Sequence, residues 1–479
     1  MKEQKVGKDI KYYFPPINLL NGKIHKKTDV ELLNKTALII HQTLLRFGVN
    51  VQFSAVHVGA RFTRYEIIPD AGVKVSKIIS RKNEIRMALN TTDINIEFPI
   101  DGKSTIGIDI ANKEILIITL REIIESREFK EFPSNLAFAV WQNISCENVI
   151  VDIKQMTHLL ISGTTGSGKS VCLDCIIMSI LYKAHPNDVK MILIDTKISN
   201  LSIYNGIPHL LAPTVTNTNK AIEILNWCIS EINDRYIKFS NFGVGNLKDY
   251  NAKAGSQEME RLPEILIIID DWYDLVEYRK DEVEDKIYNL TRFSRNCGIH
   301  IIISTNRPSA NVITSAIKAN IPSRIAFNVS SKVDSMVILD KTGAEKLLGN
   351  GDMLLKMIGN GKIIRVQGTF VSDVEISNVV EFLRQQKKTY LYDEIIKEKN
   401  PIDFVERDSY FSEAGRFVIE KDKASIGMLQ HVYKIGFNRA ARIMDQLADV
   451  GVVGPEEGTK PRKILMTMEE FEQYLEEYL

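Results

Sequence analysis

At 479 residues the chain is too long for one ordinary hydrophobic core, and about 100–200 residues per domain predicts roughly three domains. A composition of 44% hydrophobic and 25% charged residues excludes long disorder. Lys+Arg and Asp+Glu balance at 61 each, so the whole chain lacks the basic bias that would announce a nucleic-acid partner, and any such contact must rest on local patches.

The chain starts MKEQKVGKDIKYY, too polar for a signal peptide, and no apolar run approaches the ~18–20 residues that span a bilayer. The expectation is a cytoplasmic protein with reduced thiols. Its five cysteines, Cys146, Cys172, Cys175, Cys228 and Cys297, form no closely spaced framework. Cys172 and Cys175 share a helical stretch without a second Cys or His pair nearby, which predicts a buried structural role and no metal.

From about 10 to 135 short apolar runs alternate with turns: VQFSAVHVG, TRYEIIP, INIEFPIDGK, TIGIDIANK and ILIITL. Their period near two, with one early helix around Leu32–Phe47, predicts an α+β domain over 1–135. Over 136–390 the apolar strands HLLIS, KMILID, EILIIID, HIIIST and RIAFNV are separated by helical stretches, the alternation of an α/β domain with a mostly parallel sheet. Residues 391–408 are charged and weakly periodic and read as a linker. Over 409–479, helical patterns at Ser425–Tyr433 and Asn438–Val450 flank a Gly-containing turn, and a hairpin signal follows at Gly454–Arg462. That order predicts a winged helix-turn-helix.

Directly after HLLIS comes Gly163-Thr164-Thr165-Gly166-Ser167-Gly168-Lys169-Ser170, then Val171 and an apolar helical pattern. This is G-x-x-x-x-G-K-[ST] in its strand–loop–helix setting, so residues 163–171 are the candidate ATP cradle. Glycines let backbone N–H groups turn toward phosphates, Lys169 brings a positive charge to the β/γ oxygens, and the Ser170 hydroxyl suits Mg²⁺. The strand EILIIID closes on Asp270, followed by Asp271. One carboxylate there suits the Mg²⁺ shell and the other can orient or deprotonate the attacking water. HIIIST ends in Thr305-Asn306-Arg307, which makes Asn306 the candidate γ-phosphate sensor. An arginine from a neighbouring subunit often completes such sites, and Arg295 and Arg324 are the candidates.

On the second helix of the C-terminal region, Asn438 and Arg442 share a face and Arg439 lies about 100° round. Arg can grip guanine O6/N7 and Asn adenine N6/N7, while Lys434, Lys460, Arg462 and Lys463 could bind phosphates from the turn and wing. The acidic last helix, with Glu469, Glu470 and Glu472, explains how a basic face hides in a neutral chain.

Together the motifs resemble the FtsK/SpoIIIE family of bacterial DNA translocases. In the motor the likeness rests on GTTGSGKSV, NLSIYNGIPHLLAP, RPSANVITSAIKANIPSRIAFNVSS and GAEKLLGNGDML. Upstream, FTRYEIIPDAGVKVSKI, PIDGKSTIGIDI and LREIIES look like the family's α domain, and IGFNRAARIMDQLADVGVVGPEEGTKPRKIL looks like its γ winged helix. The resemblance implies a RecA-like P-loop ATPase motor that moves duplex DNA with ATP and Mg²⁺ in chromosome partition and cell division. It also implies a homo-hexameric ring, with Arg307 and Lys318 on channel-facing loops, and leaves contact with a site-specific recombinase open. Without an apolar spanning run, a form lacking the membrane region of the septal members is expected.

The departures are specific. Asp271 stands where the family usually has Glu, and Asn306 where it has Gln, each one methylene shorter; a displacement of ~1 Å can lower a rate ~100-fold. Thr196, Asn200, Asn311 and Met336 also depart from the family's residues. Two alternatives remain: a conjugative or plasmid DNA-transfer ATPase, and an ATP-gated DNA clamp with weak hydrolysis.

Overall fold

The computed structural model describes residues 12–22, 29–91, 94–100, 103–112, 116–143, 146–198, 200–256, 260–358, 363–386, 408, 410–454 and 461–478, with the backbone only at 139, 140, 438, 449, 473 and 476–478. The predicted linker up to residue 407 and Lys460 lie outside the described residues. The chain divides into two compact units, Met1–Leu391 and Tyr392–Leu479.

The first sheet of unit 1 is antiparallel, in the order β1-β2-β4-β3: β1 Val51–Val58, β2 Phe62–Pro69, β3 Ile94–Glu97 and β4 Ile106–Ala111. Tyr65, Ile67, Ile106 and Ile108 pack under the helix Val30–Arg46, which contributes Ile40 and Leu44. The expected helix is present, capped by Asp29, whose side chain accepts from Leu32 N at 3.0 Å. Two short helices, Val75–Ser80 and Lys82–Ala88, were not anticipated, and the described part of ILIITL, 116–120, is not a strand: Thr119 makes one isolated bridge and Leu120–Ile124 is helical. The opposite, charged positions of β2 and β4 are buried as well, because Arg64 forks onto Asp109 at 2.6 and 2.9 Å. Pairing lets a strand of alternating pattern be covered on both faces.

The second sheet has nine strands, ordered β6-β5-β13-β12-β11-β7-β10-β9-β8. Its parallel part is β7 Leu159–Ser162, β8 Val189–Asp195, β9 Glu264–Asp270, β10 Ile299–Thr305 and β11 Ser323–Phe327. These are the five strands expected from sequence, and their near-continuous Ile/Leu runs are buried on both faces. The antiparallel extension, β5 Ala137–Asn143, β6 Asn148–Asp152, β12 Asp352–Lys356 and β13 Ile363–Gly368, was not expected. Cys172 and Cys175 are buried in the core beside this sheet. β10 lies between β7 and β9, so three C-terminal strand tips open side by side on one edge.

Unit 2 packs the helices Phe411–Glu420, Ile426–Tyr433, Phe437–Asp449 and Met468–Tyr478 around one core. In the third, Ala440, Ile443, Met444 and Leu447 at i, i+3, i+4 and i+7 are buried, which turns positions 439 and 442 outward. The flanks of the predicted hairpin pair as Val453 with Ile464, and Gly454 N donates to Lys463 O at 2.8 Å. Its tip lies outside the described residues. This is the winged helix-turn-helix order.

Candidate functional site

The loop between β7 and the helix Lys169–Lys183 is shaped by glycine. Gly166 and Gly168 hold φ of +76° and +115°, and a Cβ on Gly168 would lie 2.9 Å from Gly351 N. Gly351 N donates to Ser167 O at 3.0 Å, and Thr164 N and Oγ1 donate to Asn328 O at 2.9 and 3.1 Å. The loop is thus clamped from β11 and from the turn before β12. Gly168 caps the helix without a side-chain acceptor, so the first-turn N–H groups, with Lys169, Ser170 and Val171, face an anion-ready end. Thr165 and Gly166 form the exposed tip.

Lys169 Nζ donates to Gly163 O at 2.7 Å and Thr164 O at 2.8 Å. Burial pushes its ammonium down to about 8, against the opposite pull of Asp270 and Asp271. Facing it, Asp271 sits at φ +57°, ψ +61°, with its N–H donating to Asp270 Oδ1 at 3.1 Å. That left-handed backbone turns the second carboxylate inward at the end of β9. One of its oxygens is held by Lys197 Nζ, which also lies 3.5 Å from Asp274.

Lys197 is the functional residue that sequence reasoning missed. It follows the tip of β8, where Asp195 stands opposite Asp270 in register, so strand pairing carries the next loop beside the acid pair. Only that register signals it.

Three buried polar atoms near this edge have no hydrogen-bond partner among the described residues: Asp271 Oδ1, Ser304 Oγ and Asn306 Oδ1. Orphaned acceptors beside a phosphate cradle are chemistry suited to a hydrated Mg²⁺ and its nucleotide. No group of three or more His, Cys, Asp or Glu among the described residues forms an all-protein metal cage. A Mg²⁺ held by Ser170, the Asp270 side and phosphate oxygens would not use one. ATP and Mg²⁺ therefore fit the residues present.

The two arginine candidates part company. Arg295 is exposed, in the turn before β10, at the sheet end opposite the P-loop. Arg324 does not fit that role: its guanidinium is buried, ion-paired with Asp340, and donates to Lys318 O at 2.7 Å and Ile338 O at 3.1 Å. Lys318 joins the same Asp340 cluster, which holds that carboxyl well below the usual range. Arg307 is exposed and stacks over the Tyr273 ring at 3.8 Å. Met336 is an exposed apolar side chain.

In unit 2, Lys434 is exposed at a left-handed helix end, φ +51°. The side chain of Asn438 lies outside the described residues. Arg439 Nε and Nη2 donate to the two oxygens of Asp408, each at 2.8 Å, and Arg442 Nη2 donates to Asp408 Oδ2 at 2.9 Å. Asp408 was assigned to the linker from sequence. Arg462 is also engaged, donating to Asp445 Oδ1 at 2.7 Å with its side chain largely buried, so it ties the wing to the helix rather than standing ready for phosphate.

Three family models match the chain in order: FtsK alpha domain over residues 14–112, FtsK/SpoIIIE family over 119–310 and Ftsk gamma domain over 405–467. The chain is 47% identical over 467 residues to the DNA translocase FtsK of Clostridium acetobutylicum, covering 96% of this chain and 61% of that protein. To the DNA translocase SpoIIIE of Bacillus subtilis it is 44% identical over 471 residues, 96% and 60% respectively. The chain thus spans about three fifths of the length of these curated relatives. In fold it is similar to the pCW3 conjugation coupling protein TcpA with ATPgS, at TM-score 0.51 and 22% identity, covering 73% of this chain and 99% of that one. No helix among the described residues is long and apolar enough to cross a membrane.

Proposed function

The chain belongs to the FtsK/SpoIIIE family, and on that premise we propose that it is an ATP-driven translocase of double-stranded DNA acting in chromosome partition. The observation that carries this reading is one sheet edge where the P-loop, the Asp270–Asp271 pair and the tip of β10 meet. Unit 2 adds a helix with an outward basic face.

When bound, ATP–Mg²⁺ would supply the phosphoryl bond whose hydrolysis drives movement. Lys169, which donates to the Gly163 and Thr164 carbonyls, would hold the β/γ oxygens, and Ser170 would offer its hydroxyl to the metal. Asp270 would hold the metal through a water, and Asp271 would accept a proton from the attacking water. The Asn306 carboxamide, which can present either end, reports on the γ-phosphate. Lys197 holds Asp271 in the orientation from which it takes that proton. Arg295 is the proposed arginine acting in trans in a homo-hexameric ring, with Arg307 and Lys318 toward a central duplex. Lys434, Asn438, Arg439 and Arg442 face the DNA read by unit 2. The site is proposed to work in the cytoplasm, and domains 1–135, 136–390 and 409–479 are the proposed division of labour.

A second reading, an ATP-gated clamp, is favoured by one contact: Lys197 neutralises the water-activating acid. Phosphate release with and without linear duplex separates the two. The motor predicts duplex-stimulated turnover that Lys169→Ala abolishes; ATP and DNA binding without turnover would replace it with the clamp.

A further inference from the structure

Asp408 is the meeting point of one helix face. Arg439, Arg442 and Gln446 stand at i, i+3 and i+7 on Phe437–Asp449, and each bonds to that residue: the two guanidiniums to its carboxylate, and Gln446 Oε1 accepting from its backbone N–H at 3.1 Å. The carboxylate also accepts from Tyr410 N at 3.2 Å, and its carbonyl accepts from Phe411 N at 2.7 Å. Its side chain is 2% exposed, against 41% and 64% for the two arginines. Arg439 further lies over the Tyr410 ring, 4.9 Å from its centroid. A buried acid thus holds one partly exposed and one exposed cation from behind.

Resting on the reading that unit 2 recognises DNA, we infer that Asp408 is a positioning residue for sequence discrimination, fixing Arg439 and Arg442 so that they address base edges rather than phosphates. A long unbraced arginine reaches whichever oxygen is nearest, and phosphate contacts carry no sequence information. A fork held on a carboxylate has fewer orientations to lose on binding. One carboxylate against two guanidiniums leaves net positive charge on the face. A removable competitor would have to break the bonds that anchor Asp408 to both helices, so a brace is the better account of a buried acid.

The test uses the full chain without nucleotide. Duplexes with a random core are selected for binding, and the enriched duplex is compared with a scrambled one. For Asp408→Asn, which retains an acceptor for Tyr410 N, discrimination falls about 10-fold or more, affinity for the scrambled duplex holds or rises, and the log–log salt slope steepens by about 1. Arg439→Lys, which keeps the charge and loses the fork on Asp408, gives the same loss. Equal weakening on both duplexes reduces Asp408 to a structural role and overturns the inference, as does unchanged discrimination. Tighter binding to both with discrimination kept makes Asp408 a competitor and also overturns it. If the wild type enriches nothing, the DNA-reading assignment of unit 2 fails first and takes the inference with it.

Discussion

At the nucleotide edge the working charges are buried and set by strand ends, whereas on the helix Phe437–Asp449 they reach solvent in part and are set by a shared acid. Lys169 and Asp271 are held where β7 and β9 stop, among side chains that exclude water. Arg439 and Arg442 owe their directions to a single acid. In a low dielectric each charge depends steeply on its partner, and near solvent the dependence is screened. Loss of one group should therefore be close to all-or-none in the motor and graded in unit 2.

The widest expected gap comes from Lys169→Ala. Phosphate release in the presence of duplex should fall about 1000-fold, the scale of losing a positioned cation at developing charge, while sequence-selective duplex binding persists. Parallel loss of both would dissolve the contrast between the two regions.

Next are the arginines. Arg324→Ala strands Lys318 O and the Asp340 cluster and should cost about 3 kcal/mol of stability in chemical denaturation, at the low end for a buried pair because Asp340 is half exposed. Arg295→Ala should stay within about 0.5 kcal/mol of wild type yet lower turnover, and mixing it with Lys169→Ala chains should restore part of the rate if it acts in trans. A stability loss at Arg295 without a rate effect would reverse the assignment.

Burial of Lys169 also has a pH signature. Its folded pKa of about 8 lies below the ordinary 10.5, so between those values the unfolded chain binds the proton and the folded one does not. Stability then rises with pH across that window. Nucleotide-free wild type should gain about 3 kcal/mol relative to Lys169→Met between pH 8 and 10.5. A flat difference would mean that Lys169 stands in water, as the arginines of unit 2 do.

The smallest effect sharpens the comparison most. Lys197→Ala frees Asp271 to move, and turnover should drop about 10–100-fold with nucleotide affinity little changed. An increase would instead identify Lys197 as a brake and favour the clamp.

The P-loop, the acid-tipped β9 and the helical faces of unit 2 were legible because each is written in neighbouring residues: a loop spacing, an apolar run, a 3.6-residue period. The antiparallel strands β12 and β13 were not, since short half-covered strands with Arg365 and Gln367 carry a weak pattern. Nor was the helical stretch Val75–Ala88, which Arg81 breaks into two helices too short to show a clear 3.6-residue period. Over 116–120 the strand expected at ILIITL is absent because the backbone makes one bridge at Thr119 and then turns helical at Leu120.

By itself the sequence determined that this chain has five parallel strands, a phosphate loop after one of them and a basic helix face near its end. Only the tertiary structure decided which charges were available. Asp271 meets Lys197 across 74 residues, Arg439 meets Asp408 across 31, and Arg324 meets Asp340 across 16. Backbone periodicity is local and survives in the string of residues. The partner of a charge is chosen by strand order and helix packing, which bring distant positions together.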